Sequence, residues 1–420
     1  MLPEQISLTL FAEEPEPIEW EPTDDEIACA VELNTLSTFR TQFRRLRTKF
    51  HSFRAMLEAP IEQLDVFPEE AAYLKERFAE QRVSLAVGRE YSRLPEGVEV
   101  VTWFDRRYPA QLRNIFNPPP VLYVRGDIGF DFTASLSIVG SRAHTDYGGQ
   151  TAERFAYQLA SWGFTIVSGG ARGIDSIAHK AAMSAGGKTI SVFGCGIDVV
   201  FPAENRKLFE EIAQKGALVS EFPIGTIPEA FNFPARNRII AALTRGTLVA
   251  EAPEKSGALI TAELALQNNR EVFAVPGRLT DLRSTGANKL IRDGAHPALD
   301  PSDVPLKFGL IVLDGGPPDS ERAASQLQGD EALVYAAVSL EAKPVDALVH
   351  DVGLSAPRVL AALLFLQTKG MVRELPGTRF VRPVTSTMCN SVKASGEHTD
   401  SPDDSSLSNI VNKPGHAADI

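Results

Sequence analysis

"SLSIVGSRAHTDYGGQTAERFAYQLASWGFTIVSGG", residues 135–170, decides the fold of this chain. The stretch begins with the short β-branched run "SLSIV", passes through the helical pattern "YGGQTAERFAYQLASWG", and ends in a second run, "FTIVS". Strands that are apolar on both faces and separated by a helix are typical of a parallel sheet covered on each side. The stretch therefore predicts a strand–helix–strand unit whose two strands are parallel.

The same alternation continues to about Leu299. Further strand-like runs are "KTISVF", "ALVSE", "TLVAE" and "EVFAV", and helical patterns such as "IDSIAHKAAMSAG" and "GALITAELALQNN" lie between them. We therefore predict an α/β fold, with a doubly wound, Rossmann-like parallel sheet flanked by an N-terminal helical domain and a C-terminal winged-helix-like domain. The ligand of such a sheet is expected beyond the carboxyl ends of the strands.

Composition shifts along the chain predict six regions. They are a disordered acidic arm (1–23), a helical, SAM-like domain (24–95), a Rossmann-like domain with its lead-in segment (96–306), a linker (307–328), a winged-helix-like domain (329–384) and a disordered tail (385–420). In the helical domain, phenylalanines repeat along one face and basic residues fill the rest: Arg40, Arg44, Arg45, Arg47 and Lys49. That basic face is interpreted as solvated, with phosphate contact as the alternative.

The net charge of −12 belongs to the ends of the chain. Residues 1–26 hold nine acidic side chains and no Lys or Arg, and residues 385–420 hold five acidic side chains against two lysines. These ends sum to −12, so the body between them is neutral and free to carry a local basic surface. Three well-separated cysteines, no secretory leader and no apolar run of membrane-spanning length favour a cytoplasmic protein with no membrane partner.

Four loops follow strand ends in the central domain, where the fold places ligands. "IVGSRAHTDYG" places Ser141 and Arg142 at a strand tip, and "SGGARGIDSIAH" places three glycines and Arg172 before a helix. Glycines let a phosphate approach backbone N–H groups, and the amino end of the helix favours the anion. Asp175 and His179 follow there, and we interpret the first as a loop brace and the second as a packed residue. "GCGIDVVFPAEN" is interpreted as a structured turn, in which Cys195 is a small residue tolerated in a tight loop.

The fourth loop, "FNFPARNRIIAALT", places Arg236, Asn237 and Arg238 at a predicted helix start after Phe231 and Phe233. Arginines beside aromatic rings suit single-stranded nucleic acid, although at least one of these phenylalanines is expected in the core. "EKSGALITAE" adds Lys255, Ser256 and Gly257 at a further helix start. No Walker A lysine, HExxH motif, nucleophile elbow or paired carboxylates accompany these loops. The pattern predicts a protein that holds a ligand without catalytic residues, metal or cofactor.

Taken in order, "SIVGSRAHTDYG", "SGGARGIDSIAH", "GCGIDVVFPAEN", "SEFPIG", "FPARNRIIAAL", "SGALITAELAL" and "STGANKLIRDGA" resemble the DNA processing protein A (DprA, or Smf) family. "YPAQLRNIFNPPPVLYVRGD" resembles the lead-in segment of that family, and the residues from Gly353 onward resemble its winged-helix ending. The resemblance implies a cytoplasmic, non-enzymatic homodimer that binds single-stranded DNA and loads the RecA recombinase onto it in natural transformation. The DNA-binding candidates are Ser141, Arg142, Gly169, Gly170, Arg172, Gly173, Arg236, Asn237, Arg238, Lys255, Ser256 and Gly257.

Two departures from the family pattern bear on the flanking domains. Residues 24–87 contain no glycine, whereas many members carry a helix-hairpin-helix glycine turn there. The expected recognition helix, Ser355–Lys369, has only Arg358 and Lys369 as basic residues, which favours a protein-interaction or dimer-supporting role for the winged helix.

Two alternative functions stay open at this point. One is a nucleotide phosphoribohydrolase of the lysine decarboxylase-like group, whose motif Pro-Gly-Gly-x-Gly-Thr-x-x-Glu ends in a reactive glutamate. Ile177 occupies that position here. The other is a scaffold that binds RecA without DNA, for which Arg142→Ala and Arg238→Ala would leave function intact.

Overall fold

The computed structural model describes residues 21–59, 63, 91–129, 132–310, 327–339, 342–375 and 377–382. Residues 1–20 of the expected acidic arm, residues 311–326 of the expected linker and the chain from residue 383, with the expected tail, lie outside the described residues. So do residues 60–62 and 64–90 of the expected helical domain.

A nine-stranded sheet organises the chain between residues 98 and 297. Its strands are β1 (Val98–Thr102), β2 (Val121–Gly126), β3 (Ser135–Val139), β4 (Thr165–Ser168), β5 (Thr189–Val192), β6 (Ala217–Ser220), β7 (Gly246–Val249), β8 (Glu271–Ala274) and β9 (His296–Pro297). The spatial order is β1-β2-β6-β5-β4-β3-β7-β8-β9. Strands β3 to β9 pair in parallel, whereas β1 and β2 extend the β6 edge in antiparallel pairing. The predicted doubly wound sheet is confirmed.

Helices connect the parallel strands and cover both faces. Three N-terminal helices come first: α1 (Asp24–Asn34), α2 (Ser37–Lys49) and α3 (Phe53–Glu58). The helices from the lead-in onward are α4 (Ala110–Arg113), α5 (Asp146–Ser161), α6 (Ile174–Ser184), α7 (Arg206–Lys215), α8 (Asn232–Leu243), α9 (Gly257–Gln267), α10 (Thr285–Arg292) and α11 (Asp303–Lys307). Apolar residues form separate buried clusters that include strand residues of the large sheet. From β3 the chain winds outward through β4, β5 and β6, and then returns to begin β7 on the other side of β3. This reversal between β3 and β7 is where a sheet of this class opens a crevice for a ligand.

The N-terminal helices pack on the lead-in strand through aromatic rings. Phe43 of α2 lies 6.0 Å from Trp103, and Phe53 of α3 lies 5.1 Å from Phe104, between ring centroids. The guanidinium of Arg47 is 4.6 Å from the centroid of the Trp103 ring. The guanidinium of Arg44 is likewise 4.6 Å from the centroid of the Phe116 ring. At these distances the cations interact with ring faces, so these two arginines of the predicted solvated face dock α2 on its neighbour.

The C-terminal part forms a small domain with its own core. Helices α12 (Gly329–Ala337), α13 (Val345–Val352) and α14 (Ala356–Thr368) pack on a three-stranded sheet in the order β10-β12-β11, with β10 at Lys343–Pro344, β11 at Arg373–Leu375 and β12 at Arg379–Val381. On α14, Arg358 pairs with Asp330, and Lys369 after the helix lies 4.4 Å from the Phe365 ring centroid. The winged-helix prediction is confirmed. Within the described residues no single helix is long and apolar enough to cross a membrane, although the bent pair α13–α14 passes that test jointly.

Candidate functional site

A cavity of about 630 Å³ opens at the reversal between β3 and β7. Its walls are the loop after β3, the loop before α9 and the first two turns of α8. The backbone joins two of these walls, since the N–H of Ser141 donates to the carbonyl of Glu251 at 2.8 Å. Seven of the predicted residues line the cavity: Ser141, Arg142, Arg236, Asn237, Lys255, Ser256 and Gly257. The sequence therefore predicted the location and most of the walls of this cavity.

Two cations face this cavity without a carboxylate partner. Arg142 and Lys255 are exposed, and among the residues that the structure describes neither forms an ion pair. The Arg142 guanidinium lies 5.8 Å from the centroid of the Phe233 ring, which also lines the cavity. An open guanidinium offers a planar fork of donors that suits phosphate oxygens, and the lysine adds a compact charge. Among the described residues, this positive charge of the cavity thus has no ion-pair partner.

The amino end of α9 opens into the same cavity. Ser256 caps the helix, with its hydroxyl oxygen accepting from the N–H of Ala258 at 3.2 Å. A side chain built on Gly257 would meet no protein atom within 4 Å. The N–H groups of Ala258 and Leu259 donate to Ser256, and the helix dipole favours an anion at this end. Open space at Gly257, the helix terminus and Lys255 together form a place where an anion can approach the backbone.

The glycine-rich loop at Gly169–Gly173 is held by an internal hydrogen-bonding network. The N–H groups of Gly169 and Ala171 donate to one carboxylate oxygen of Asp175, at 3.2 and 3.4 Å. A Cβ on Gly170 would lie 2.5 Å from the Ser191 hydroxyl, and its φ is +64°. The protein's own carboxylate therefore occupies two amides of the loop, which confirms Asp175 as a brace. DNA contact by Gly169, Gly170 and Gly173 stays a prediction.

Arg236 completes this brace from α8. Its guanidinium is buried and donates to the carbonyls of Gly169, at 2.8 Å, and Val192. Burial raises the pKa of Asp175 and lowers that of Arg236 to about 10, and the opposite charges oppose both shifts. Arg236 therefore holds the floor of the cavity, and its contact with DNA stays a prediction.

Arg238 lies outside the cavity, in a buried ion pair with Glu221. The pair is bidentate, with Nη2 donating to Oε2 at 2.6 Å, and Nε donates to the Asn117 carbonyl at 2.9 Å. The guanidinium of Arg238 is thus occupied by the protein, while the neighbouring Asn237 lines the cavity. The DNA contact expected of Arg238 stays a prediction, and its surroundings are those of a residue that fixes α8.

Arg172 is exposed and paired with Glu204, with Nη2 donating to Oε2 at 2.7 Å. This hydrogen bond lowers the pKa of Glu204 and raises that of Arg172. Exposed ion pairs contribute little net stability. A phosphate could therefore take the place of Glu204 at small cost.

Three phenylalanine rings stand near the cavity mouth. Phe231 is 69% exposed and Phe201 is 43% exposed, and the Phe201 ring lies 5.6 Å from the half-buried Phe233 ring. The expectation that Phe231 or Phe233 lies in the core is wrong, because α8 begins at Asn232 and directs neither ring inward. Sequence reasoning missed Phe201, since nothing in "VVFPAEN" distinguishes an exposed ring from a buried one. Exposed aromatic faces are surfaces on which bases can stack.

His179 and Cys195 are both buried, and burial moves the pKa of each away from neutrality. Burial lowers the pKa of His179 to about 3, and its Nδ1 is 2.7 Å from the Thr189 hydroxyl. Burial also raises the pKa of Cys195 to about 11. Both interpretations from the sequence are confirmed. Within the described part of the chain, no group of three His, Cys, Asp or Glu residues could hold a metal ion.

Family models and relatives of at least 34% identity agree on one family. The model described as DNA recombination-mediator protein A matches residues 99–308, and that of the DprA winged helix domain matches residues 318–378. Protein Smf of Escherichia coli is 41% identical over 277 residues, which cover 64% of this chain and 74% of that protein. The DNA processing protein DprA of Streptococcus pneumoniae is 40% identical over 222 residues, which cover 53% of this chain and 77% of that protein. The X-ray structure of DprA from Streptococcus pneumoniae matches with a TM-score of 0.57 at 32% identity, over 69% of this chain and 99% of that one.

Proposed function

We propose that this chain, which belongs to the DNA recombination-mediator protein A (DprA/Smf) family, binds single-stranded DNA in the cavity between β3 and β7. One observation carries the proposal: Arg142, Lys255 and the amino end of α9 converge on a cavity that also contains a phenylalanine face. Positive charge follows the phosphates, and aromatic rings stack the bases. Bases in a duplex are already stacked on each other, so this combination favours a single strand.

The relatives are named as DNA processing proteins and not as enzymes, so the phosphoribohydrolase alternative is set aside. The proposed role is to hold a strand intact. It is supported by the buried, neutral His179 and the buried thiol of Cys195, neither of which faces the cavity. We extend the proposal to loading of the RecA recombinase onto that strand and to natural transformation, which the family implies. Such a protein acts in the cytoplasm, where its DNA is.

We further propose that the protein acts as a homodimer. The proposal is supported by two exposed leucines between β8 and α10, Leu279 at 91% and Leu282 at 79%. Large apolar side chains left in water within a few residues of each other are features of interaction surfaces. Light scattering should then give twice the mass of one chain, and serine at both positions should favour the monomer.

The test of DNA binding is a fluorescence titration of an oligothymidylate and of a duplex with the full-length chain at several salt concentrations. Tight binding of the single strand alone is expected. Arg142→Ala and Lys255→Ala should each weaken it and lower the slope of log K against log salt by about 0.7, the value for one lost phosphate contact. Lys180→Ala is the matched control, because Lys180 is exposed on α6 and lies outside the cavity. Wild-type affinity and slope in both cavity variants would contradict the proposal.

A further inference from the structure

A second cavity, of about 200 Å³, lies between the antiparallel edge of the sheet and α7. Val98 of β1, Arg125 of β2 and Leu218 of β6 contribute one side, and Arg206 and Phe209 of α7 contribute the other. Its volume is below the roughly 300 Å³ at which pockets for whole small molecules begin. A single planar group fits such a space better than a complete nucleotide does.

The floor of this cavity is apolar and its rim carries both signs of charge. Phe193 and Phe209, with ring centroids 4.7 Å apart, and Leu218 form the floor. Arg125, Arg206, Glu96 and Glu210 are exposed at the rim, and within the described residues none of the four forms an ion pair. A further rim carboxylate, that of Asp198, accepts from the N–H of Gly225 at 2.9 and 3.1 Å.

The mixed rim distinguishes between two parts of a nucleotide. Carboxylates beside the arginines repel a phosphate, so the cavity is a poor anion site. A nucleobase is neutral and planar, and its edge carries hydrogen-bond donors and acceptors together. Arginine can donate to its carbonyl and ring-nitrogen acceptors, and glutamate can accept from its N–H groups. The apolar floor would cover the face of the base.

An aromatic path joins the two cavities. Val200 lines the second cavity, and the next residue, the exposed Phe201, packs on Phe233, which lines the first. A strand whose phosphates lie on Arg142 and Lys255 would therefore pass over Phe201 before it reaches Arg206. We propose that the second cavity is a nucleobase subsite of the same single-stranded DNA track. This inference rests on the proposed function and adds to it a defined position for one unstacked base.

The experiment is an abasic scan. Each nucleotide of an oligonucleotide is replaced in turn by one that lacks its base, and the affinity of the full-length chain for each oligonucleotide is measured. Removal of the base at one position should lower the affinity roughly tenfold, as expected for one stacked base, whereas removal at the other positions should lower it only slightly. This single large loss forms a peak in the scan. Val98→Trp, which fills the cavity from the start of the edge strand β1, should abolish that peak. Its salt slope should stay that of the wild type, because no phosphate contact is lost.

Arg206→Ala is the second variant, because it removes one rim donor and leaves the floor intact. It should remove part of the peak, and circular dichroism checks that both variants fold. A flat scan in the wild type, or an unchanged peak in both variants, would overturn the inference while leaving DNA binding in place. No binding of any oligonucleotide would instead refute the proposed function.

Discussion

Two glycines of the site have opposite surroundings. A Cβ on Gly173 would lie 2.4 Å from the carbonyl oxygen of Ser141, and the φ of Gly173 is +77°. A Cβ on Gly257 would meet nothing within 4 Å. The fold therefore requires the first glycine, whereas only a ligand that approaches the backbone would require the second.

This contrast gives a prediction for Gly257→Ala. Alanine is the better helix former, so the free energy of unfolding should stay unchanged or rise by up to about 1 kcal/mol. The affinity for single-stranded DNA should fall, because the methyl group occupies the space of the proposed phosphate. Urea unfolding and the oligothymidylate titration measure the two effects. Gly173→Ala is the control and should lose stability, and full DNA affinity in Gly257→Ala would argue against a phosphate at α9.

His179 gives a prediction for pH. Burial lowers its pKa from the ordinary value of 6.5 to about 3, so below pH 6.5 the unfolded chain takes up a proton that the folded chain does not. The stabilising contribution is present above pH 6.5 and is lost as the pH falls towards 3, with a slope of at most about 1.4 kcal/mol per pH unit. Comparison of the wild type with His179→Asn isolates this group. The difference between their free energies of unfolding should shrink as the pH falls, and a constant difference would contradict the assignment.

At the scale of elements, the ion pair of Arg238 and Glu221 ties α8 to three other parts of the chain. Glu221 follows β6, and its carbonyl accepts from the Nδ2 of Asn34, the last residue of α1, at 2.8 Å. Arg238 also donates to the lead-in residue Asn117. Since α8 carries Arg236 and Asn237 into the cavity, this pair positions one cavity wall relative to the N-terminal helices.

Removal of either partner should therefore have the same effect. Arg238→Ala and Glu221→Gln each leave a buried group without its partner, which costs about 3–5 kcal/mol of unfolding free energy. Both variants should keep the salt slope of DNA binding once they are measured at a temperature where they stay folded. If Arg238→Ala alone lowers the slope, then Arg238 contacts phosphate directly.

Local sequence patterns predict some of these elements and miss the boundaries or pairing of others. The strand and helix alternation after residue 135 follows from residues close in sequence and was predicted correctly. Helix α8 begins at Asn232, before the predicted start near Arg236, because Pro234 lies in the first turn, where its missing N–H costs nothing. The pairing of β2 with β6 depends on contacts nearly a hundred residues apart, such as Tyr123 with Ser220, and leaves no local signal in the sequence.

At the scale of the whole molecule, the proposed DNA binding rests on which cationic side chains are left without an ion-pair partner among the described residues. Most of the cavity walls could be predicted from the sequence. Which basic residues form ion pairs could not, because their partners are distant in sequence. Arg172 finds Glu204, and Arg238 finds Glu221, whereas Arg142 and Lys255 form no ion pair within the described residues. Open cations in a neutral body, rather than the net charge of −12, are what a DNA strand would meet.

The measurement that tests the central claim most directly is photocrosslinking of the full-length chain to a single strand carrying 5-iododeoxyuridine, followed by peptide mapping. The account predicts crosslinks to the peptide that contains Phe231 and Phe233, at the mouth of the cavity between β3 and β7. Excess unlabelled single strand should remove these crosslinks, and Arg142→Ala should weaken them. Crosslinks confined to α2 or to the winged-helix domain, with none in α8, would contradict the account.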